Sequence, residues 1–346
     1  MGGIISRFAP APTGFLHLGH VVNAVSVWGE TRARQGRVLL RIEDHDRQRS
    51  RRHFEEAILE DLAWLGFEAD EPPVRQSERG AIYESAIEGL RRRGLVYACN
   101  CSRTDVAQGG TDLAQAGTDV AQAGTDVAQA FRPAIAGLKP RATPEAPRAT
   151  PEAPRATPEA PRATPEAPRA TPGAPRVTPE PPRATPELQY PGTCADRRLA
   201  EGPGVGLRVR LEPSTERFVD LRLGPQCQRP SEQCGDLLVR DRDGNWTYQF
   251  AATVDDQVQG VTLVIRGVDL LASTGRQIQL ARLLGRAEPP EFLHHALIMK
   301  STASAGGFGG PGQKLSKSDG DTGIRDLRAR GWTPAQVIAH AMSFAE

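Results

Sequence analysis

Lysine is nearly missing from this chain. Of 43 cationic residues only Lys139, Lys300, Lys314 and Lys317 are lysines, and two of them fall within Lys314-Leu315-Ser316-Lys317-Ser318. In a chain that otherwise relies on arginine, two lysines so close together suggest a need for compact, mobile point charges; a plain surface loop is the alternative. Long apolar runs are missing as well: no stretch reaches the roughly 18 residues of a membrane span, which predicts a soluble chain with no membrane partner. The N-terminus has no basic segment followed by an apolar core, so no secretory signal is read. Cysteines are few and odd in number, five, which argues against a disulfide framework and fits a reducing cytoplasm. A net charge of +1 gives no global pull toward nucleic acid and leaves only local basic faces. Arg91-Arg92-Arg93, Arg197-Arg198 and the trio Arg325, Arg328 and Arg330 are candidates for such faces, against the bland reading of solvated surface.

The most informative stretch is Arg7-Phe8-Ala9-Pro10-Ala11-Pro12-Thr13-Gly14-Phe15-Leu16-His17-Leu18-Gly19-His20. Ile4 and Ile5 lead into it and Pro10, Pro12 and Gly14 break it, so Gly3 to Phe8 reads as a short buried strand followed by a tight turn. Val21, Val22, Ala24, Val25 and Trp28 then recur at helical spacing. His17 and His20 therefore stand where a helix begins, beside backbone N–H groups and the positive end of its dipole, a place suited to phosphate. Taken alone, the pattern fits equally well a turn with two surface histidines.

Arg37 to Glu43 reads as a second buried strand that ends in Glu43-Asp44-His45-Asp46. Carboxylates at the carboxyl end of a strand stand where open α/β sheets bind ligands, although a solvated turn gives the same pattern. Ser50 to Gly66 reads as a helix with Phe54, Ala57, Ile58, Asp61, Leu62 and Leu65 along one apolar face. Ser77 to Gly94 repeats the form, with Ser77 as N-cap and Ile82, Tyr83, Ala86 and Leu90 as its stripe. This alternation predicts an α/β chain with a mainly parallel, doubly wound, Rossmann-like sheet, whose first half spans 1–98.

Residues 104–130 are four copies of a unit close to Thr-Asp-Val-Ala-Gln-Ala-Gly, and 141–189 are seven imperfect copies of Arg-Ala-Thr-Pro-Glu-Ala-Pro. Two prolines per repeat exclude a continuous helix, and the alanine-rich remainder cannot bury enough surface to offset its conformational entropy. A disordered insertion over 104–187 is expected, interrupting a subdomain at 99–200. The second half of the main domain, 201–300, should hold strands at Leu207 to Leu211, Arg217 to Leu221, Thr262 to Arg266 and His294 to Met299. It should also hold a hairpin of Leu237 to Arg240 with Trp246 to Phe250 around Asp243-Gly244, and a helix from Ser273 to Gly285. In 301–346 a glycine-rich loop (Gly306, Gly307, Gly309, Gly310, Gly312) precedes Lys314, and Thr333-Pro334 starts a helical tail.

Two motifs far apart now agree. His17-Leu18-Gly19-His20 and Lys314-Leu315-Ser316-Lys317-Ser318 resemble the HIGH and KMSKS signatures of class I aminoacyl-tRNA synthetases. Arg7-Phe8-Ala9-Pro10, Leu40-Arg41-Ile42-Glu43-Asp44, Tyr248-Gln249-Phe250-Ala251 with Asp255-Asp256, and Arg266-Gly267-Val268-Asp269-Leu270 are similar to the glutamyl-tRNA synthetase group. The resemblance covers nearly all of the chain except the repeats. The stretch after Ser318 is too short for the anticodon-binding region of a full glutamyl-tRNA synthetase, so the resemblance narrows to the short glutamyl-Q tRNA(Asp) synthetase family.

That resemblance implies a class I catalytic domain with a small zinc-binding insertion and a short helical C-terminal subdomain. It implies a ligase that activates L-glutamate with ATP, without tRNA, and passes it to the queuosine base of the tRNA(Asp) anticodon stem-loop. A monomer is expected. His17, Gly19 and His20 would hold ATP, with Lys314 and Lys317 stabilising the departing pyrophosphate and Mg²⁺ accompanying the nucleotide. Arg7, Phe8, Ala9, Pro10 and Ala11 would contact glutamate together with Glu43, Tyr248 and Arg266. Ala11 stands where the family usually has serine, and a lost hydroxyl bond there would weaken glutamate binding by about 0.5 to 1.5 kcal/mol.

Cys99, Cys101, Tyr190 and Cys194 match the family's zinc ligands, with the repeats set between the two pairs. Lengthening that loop by about three doublings costs about 2 kcal/mol, against zinc binding worth on the order of 10 kcal/mol, so the insertion need not abolish the site. Cys227 and Cys234 are read as free surface thiols. The rival readings are a truncated glutamyl-tRNA synthetase charging the 3′ end of tRNA(Glu), a non-catalytic tRNA-binding paralogue, and another HxGH nucleotidyltransferase.

Overall fold

Short strands, most of them largely buried, run parallel and carry the fold. Strand β1 (Ile5–Phe8) runs parallel to β2 (Arg37–Ile42), with Ile5 opposite Arg37 and Phe8 opposite Leu40, and β2 runs parallel to the two-residue β3 (Val74–Arg75). Helix α1 (Leu18–Ala33) links β1 to β2, and α2 (Arg52–Leu65) links β2 to β3. These elements belong to a computed structural model that describes residues 3–102, 104–107, 188–298 and 323–344. All of them fall in one contact unit, 1–114 with 183–346. The disorder expected over most of 104–187, and the loop bearing Lys314 and Lys317, lie outside the described residues.

After α3 (Gly80–Arg92) the chain adds a three-stranded antiparallel sheet, ordered β4 (Val96–Cys99), β5 (Gly206–Val209) and β8 (Leu237–Arg240). The remaining sheet has the order β7 (Gly224–Gln228), β6 (Glu216–Asp220), β10 (Glu291–His295), β9 (Leu263–Gly267). There β10 runs parallel to both β6 and β9, and only β7 is antiparallel. Thr262 ties the two parallel sheets together: its N–H donates to the Ile5 carbonyl at 2.8 Å, and its Oγ1 accepts from the Ile5 N–H at 2.9 Å. In place of one mainly parallel, doubly wound sheet, the structure has a parallel sheet and a mixed sheet joined at Ile5, and a separate antiparallel sheet.

One apolar core spans α1, α2, β1, β2, β9 and the C-terminal helices (Ile324–Ala329 and Pro334–Met342), with Val27, Ile42, Ile58, Leu263 and Val337 among its members. Truncating Ile58 to alanine at its centre would cost about 2–5 kcal/mol. The tail helix starts at the expected place: Thr333 Oγ1 accepts from the Gln336 N–H, and Gln336 Oε1 accepts from the Thr333 N–H.

Several local expectations are corrected. Trp246 to Phe250 is not a returning strand: Arg240 and Trp246 make one isolated bridge, and the chain becomes a helix at Tyr248–Val258. Phe250, Ala251 and Val254 bury one face of that helix, so packing at a 3.6-residue period overrides the strand propensity of the aromatic run. The last strand lies three residues earlier than expected, at Glu291–His295. Ser77 does not cap α3: its N–H and hydroxyl both donate to the Asp44 carboxylate, at 2.7 and 2.5 Å, and Arg79 precedes the helix instead. Residues 104–107 are helical, so order reaches into the first repeat, and Val106 packs against the cysteine cluster. Cys234 is buried rather than a surface thiol, whereas Cys227 is exposed.

Candidate active site

The carboxyl ends of β1, β2, β9 and β10 open on a cavity of about 360 Å³ whose lining includes Arg7, Ala9, His17, Gly19, His20, Glu43, Tyr248 and Arg266. This is where an open parallel sheet places a ligand. His17 is the N-cap of α1, and the two histidines cap it reciprocally: His17 Nδ1 accepts the Gly19 N–H and His20 Nδ1 accepts the His17 N–H, both at 3.1 Å. With both Nδ1 atoms acting as acceptors, the ring protons of the neutral histidines sit on Nε2, a donor at a helix N-terminus. Gly19 is required by close approach, since a Cβ there would lie 2.9 Å from His17 Cε1.

Of the Arg7 to Ala11 stretch, Arg7 and Ala9 face the cavity. Phe8 packs into the core, its ring 5.5 Å from that of Trp28. The Pro10 carbonyl accepts the Glu43 N–H at 3.0 Å, and the Ala11 carbonyl accepts the Thr13 N–H at 2.9 Å. These three residues shape the turn and stand outside the cavity lining.

The charged side chains are held by a largely buried network. Asp256 bridges two guanidiniums, accepting from Arg7 Nε at 2.9 Å and from Arg41 Nη1 at 2.7 Å. Arg41 also reaches Glu43 at 3.4 Å. Asp255, the preceding residue of the same helix, lies 3.8 Å from Arg41 Nε and accepts from Gln76 at 2.8 Å, Arg79 at 2.6 Å and the Tyr83 hydroxyl at 2.8 Å. Burial raises the Asp256 carboxyl, but Arg7 and Arg41 outweigh it and hold the group below its usual range. At Glu43 burial wins over Arg41, His45 and Arg7, and the carboxyl is pushed up. The Tyr248 phenol is also pushed up, by burial and then by the Glu43 charge. Chemically, the cavity offers two cations for carboxylates, one carboxylate for an ammonium, and two imidazoles at a helix start for phosphate.

The segment with Lys314 and Lys317 lies outside the described residues, but its flanks are placed. Ile298 lines the cavity, and Gly323 forms an antiparallel bridge with His17 while the Ile324 N–H donates to the Leu16 carbonyl at 3.1 Å. Sequence reasoning missed the partners of the site: the split roles of Asp255 and Asp256, and a group of Asp220, Thr274, Gln277 and His294 around Arg266. The adjacent acidic pair was a usable signal for the first; nothing local signals the second.

Cys99, Cys101 and Cys194 have their sulfurs within 4.8 Å of one another. Tyr190 joins them: its oxygen lies 3.5 Å from Cys99 Sγ and accepts the Cys194 N–H at 2.8 Å. Gly235 lets this packing form, since a Cβ there would lie 2.1 Å from the Tyr190 carbonyl oxygen. Arg208 stacks 3.6 Å over the Tyr190 ring and donates to Cys99 Sγ at 3.4 Å. Burial pushes the Cys101 thiol up to about 12, helped by its sulfur neighbours. Cys194 is also raised by burial, but the Asn100 backbone and the neighbouring Cys101, Tyr190 and Cys99 bring it down to about 7. Zinc–sulfur bonds of about 2.3 Å in a tetrahedron need sulfurs a little under 4 Å apart, so this donor set fits such an ion. Among the described residues it is the group of three metal-ligating side chains close enough to hold one.

The basic faces are less available than their sequence suggests. Arg91 pairs with Glu88 and with Glu201, and Arg325 and Arg328 both pair with Glu60.

The family model described as tRNA synthetases class I (E and Q), catalytic domain, matches residues 3–128 and 188–341. A Bordetella bronchiseptica protein named glutamyl-Q tRNA(Asp) synthetase is 36% identical over 316 residues, covering 91% of this chain and 75% of the relative. A Rhodobacter capsulatus protein of the same name is 32% identical, covering 96% of this chain and 98% of the relative. Among solved structures, the glutamate-tRNA synthetase of Elizabethkingia anophelis superposes with a TM-score of 0.60 at 25% identity, covering 92% of this chain. The chain spans about half that protein's length, 53%.

Proposed function

The chain belongs to the class I glutamyl- and glutaminyl-tRNA synthetase family, within its glutamyl-Q tRNA(Asp) synthetase group, and from that premise we propose that it activates L-glutamate with ATP and passes it to queuosine in tRNA(Asp). The observation that carries the reading is one cavity lined by both histidines of the helix cap and by Arg7, Glu43, Tyr248 and Arg266. An oxygen of the glutamate α-carboxylate attacks the α-phosphorus of ATP in line, the bond from that phosphorus to the α,β-bridging oxygen breaks, pyrophosphate leaves, and glutamyl-adenylate remains. Such a reaction is driven by positioning and by charge stabilisation. Arg7 and Arg266 take the carboxylates of glutamate through their planar donors, Glu43 takes its ammonium, and Tyr248 adds a hydroxyl. His17 and His20 donate from Nε2 to the phosphates as charge develops. Lys314 and Lys317, outside the described residues, are assigned by resemblance to the departing pyrophosphate.

Cys99, Cys101, Cys194 and Tyr190 would hold a structural zinc ion, which when bound cross-links the two ends of the repeat-bearing loop. Mg²⁺ would accompany the ATP phosphates.

The test is ATP–pyrophosphate exchange with glutamate, with and without tRNA, followed by transfer of labelled glutamate to tRNA(Asp) that contains or lacks queuosine. Exchange without tRNA and label only on queuosine-containing tRNA(Asp) are expected. Label on the 3′ end of tRNA(Glu) would overturn the acceptor, and no exchange would overturn the activation step.

A further inference from the structure

Arg266 is placed with more care than a lone guanidinium on a strand requires. It is almost fully buried, 4% exposed, at the carboxyl end of β9. All three of its nitrogens are engaged: Nε donates to His294 Nε2 at 3.0 Å, Nη1 to Gln277 Oε1 at 2.6 Å and Nη2 to Thr274 Oγ1 at 2.8 Å, and the Tyr248 side chain also interacts with the guanidinium. Gln277 and Thr274 come from the following helix (Thr274–Leu283), and His294 from the neighbouring strand β10. Behind His294 lies Asp220 at the end of β6, 1% exposed like His294 itself. Its Oδ2 lies 2.6 Å from His294 Nδ1 and accepts the His294 backbone N–H at 3.1 Å. Its Oδ1 accepts the backbone N–H groups of Arg222 and Leu223 at 3.0 and 2.9 Å.

Donor chemistry assigns the proton in this chain. An arginine Nε can only donate, so His294 Nε2 must be bare. The ring proton therefore sits on Nδ1 and points at the Asp220 carboxylate, which can only accept. Run the other way, Nε2–H against the guanidinium would set two donors face to face in a buried site and leave both unsatisfied. We infer that Asp220 and His294 are positioning residues for Arg266: the buried carboxylate fixes the Nδ1–H tautomer of a neutral imidazole, whose Nε2 then holds the guanidinium in register with the cavity. Three parallel strands thereby converge on one side chain. Gln277 extends the frame, its amide donating to Gln249 at 2.9 Å, one residue from Tyr248. What Arg266 binds, a carboxylate of glutamate, rests on the proposed function; the relay itself does not.

Two measurements test it on the full-length chain. In glutamate-dependent exchange, His294→Leu should raise KM for glutamate on the order of tenfold, as for loss of a bond to a charged group, and leave KM for ATP unchanged. His294→Gln should recover most of that loss, because its side-chain oxygen can accept from Arg266 Nε. Equal glutamate KM values for wild type and His294→Leu, parallel rises in both KM values, or no recovery by glutamine would each overturn the inference. Nitrogen-15 NMR of histidine-labelled wild-type protein, with the His294 signal assigned by its loss in His294→Gln, should give an Nδ1-protonated neutral ring. An Nε2-protonated or cationic ring would overturn it, whatever becomes of the leucine variant's folding. If the wild type shows no glutamate-dependent exchange, the proposed function fails, while the NMR result still decides the relay.

Discussion

The cavity and the cysteine cluster are both buried, polar and assembled from distant segments, yet they treat charge in opposite ways. Around the cavity, anions and cations already meet: Asp256 lies between Arg7 and Arg41, and Asp255 is met by Arg79 and two neutral donors. In the cluster, three sulfurs and a phenol oxygen face one another, with arginines only at the edge, Arg208 at Cys99 and Arg197 3.9 Å from Cys194 Sγ. The first arrangement pairs its opposite charges within the protein. The second is a donor set that a zinc cation, as proposed above, would complete. Burial and the neighbouring sulfurs push the Cys101 thiol up to about 12, so metal binding there would have to displace its proton.

Chelation should separate the two regions with the largest effect. Structural zinc binding is worth on the order of 10 kcal/mol, so stripping it should abolish amide-exchange protection around Cys99 and Cys194. Glutamate-dependent pyrophosphate exchange should survive, because no residue of the cluster lines the cavity. Activity that falls in step with zinc content would break the comparison by making the two regions one cooperative unit.

Asp256→Ala attacks the compensated side. It leaves Arg7 and Arg41 buried without their shared partner, and removing one member of a buried ion pair costs about 3–5 kcal/mol. Urea unfolding should register that loss, and glutamate KM should rise because Arg7 is no longer held. A loss under about 1 kcal/mol, the scale of an exposed pair, would mean that water already compensates these charges.

Asp61 supplies an internal control. It is fully buried on α2, its carboxyl oxygens make no hydrogen bond among the described residues, and Arg325 Nε stands 3.7 Å away. Burial pushes its carboxyl up to about 6, where Asp256 with two guanidiniums is pulled down. The folded chain then keeps this proton longer than the unfolded chain does. Its contribution favours folding below the unfolded value of 3.8, is lost as pH rises to about 6, and is flat above that. A shift of about two units corresponds to about 3 kcal/mol. Asp61→Leu should therefore stabilise the protein more at pH 7.5 than at pH 4, with the difference confined to that window of the denaturation curves.

These contrasts mark how far the sequence could be read. His17-Leu18-Gly19-His20 was legible because a helix cap is local: an N-cap residue and its partner three positions on make the same bonds wherever the helix lies. The parallel frame was legible from the Arg37 to Glu43 run and the helical stripes around it. Tyr248 was placed on the wrong element because Trp246 to Phe250 alternates like a strand, and only the burial of Phe250, Ala251 and Val254 selects the helix. His294 and Asp220 were invisible: 74 positions separate them, and their bond exists only because β6 and β10 are neighbours in the sheet. Motifs report what contacts a ligand, whereas the groups that hold those motifs in place are distributed by topology.

The smallest effect is expected at the rim, where neither region's logic applies. Arg91 donates to Glu88 and makes two bonds to Glu201, at 3.0 and 2.9 Å, all near the surface. Exposed pairs of this kind contribute about 0–1 kcal/mol, so Arg91→Gln should leave the unfolding midpoint nearly unchanged. The same variant asks whether the Arg91-Arg92-Arg93 run is a tRNA contact. An arginine that neutralises a phosphate contributes about one ion to the salt dependence of binding, and its loss should flatten the plot of log affinity against log salt by about that much. With its charge already shared between two glutamates, Arg91 should leave the slope for tRNA(Asp) unaltered. A slope reduced by about one would show that the ion pair opens for the nucleic acid, and that surface arginines here are exchanged between protein and RNA partners rather than simply solvated.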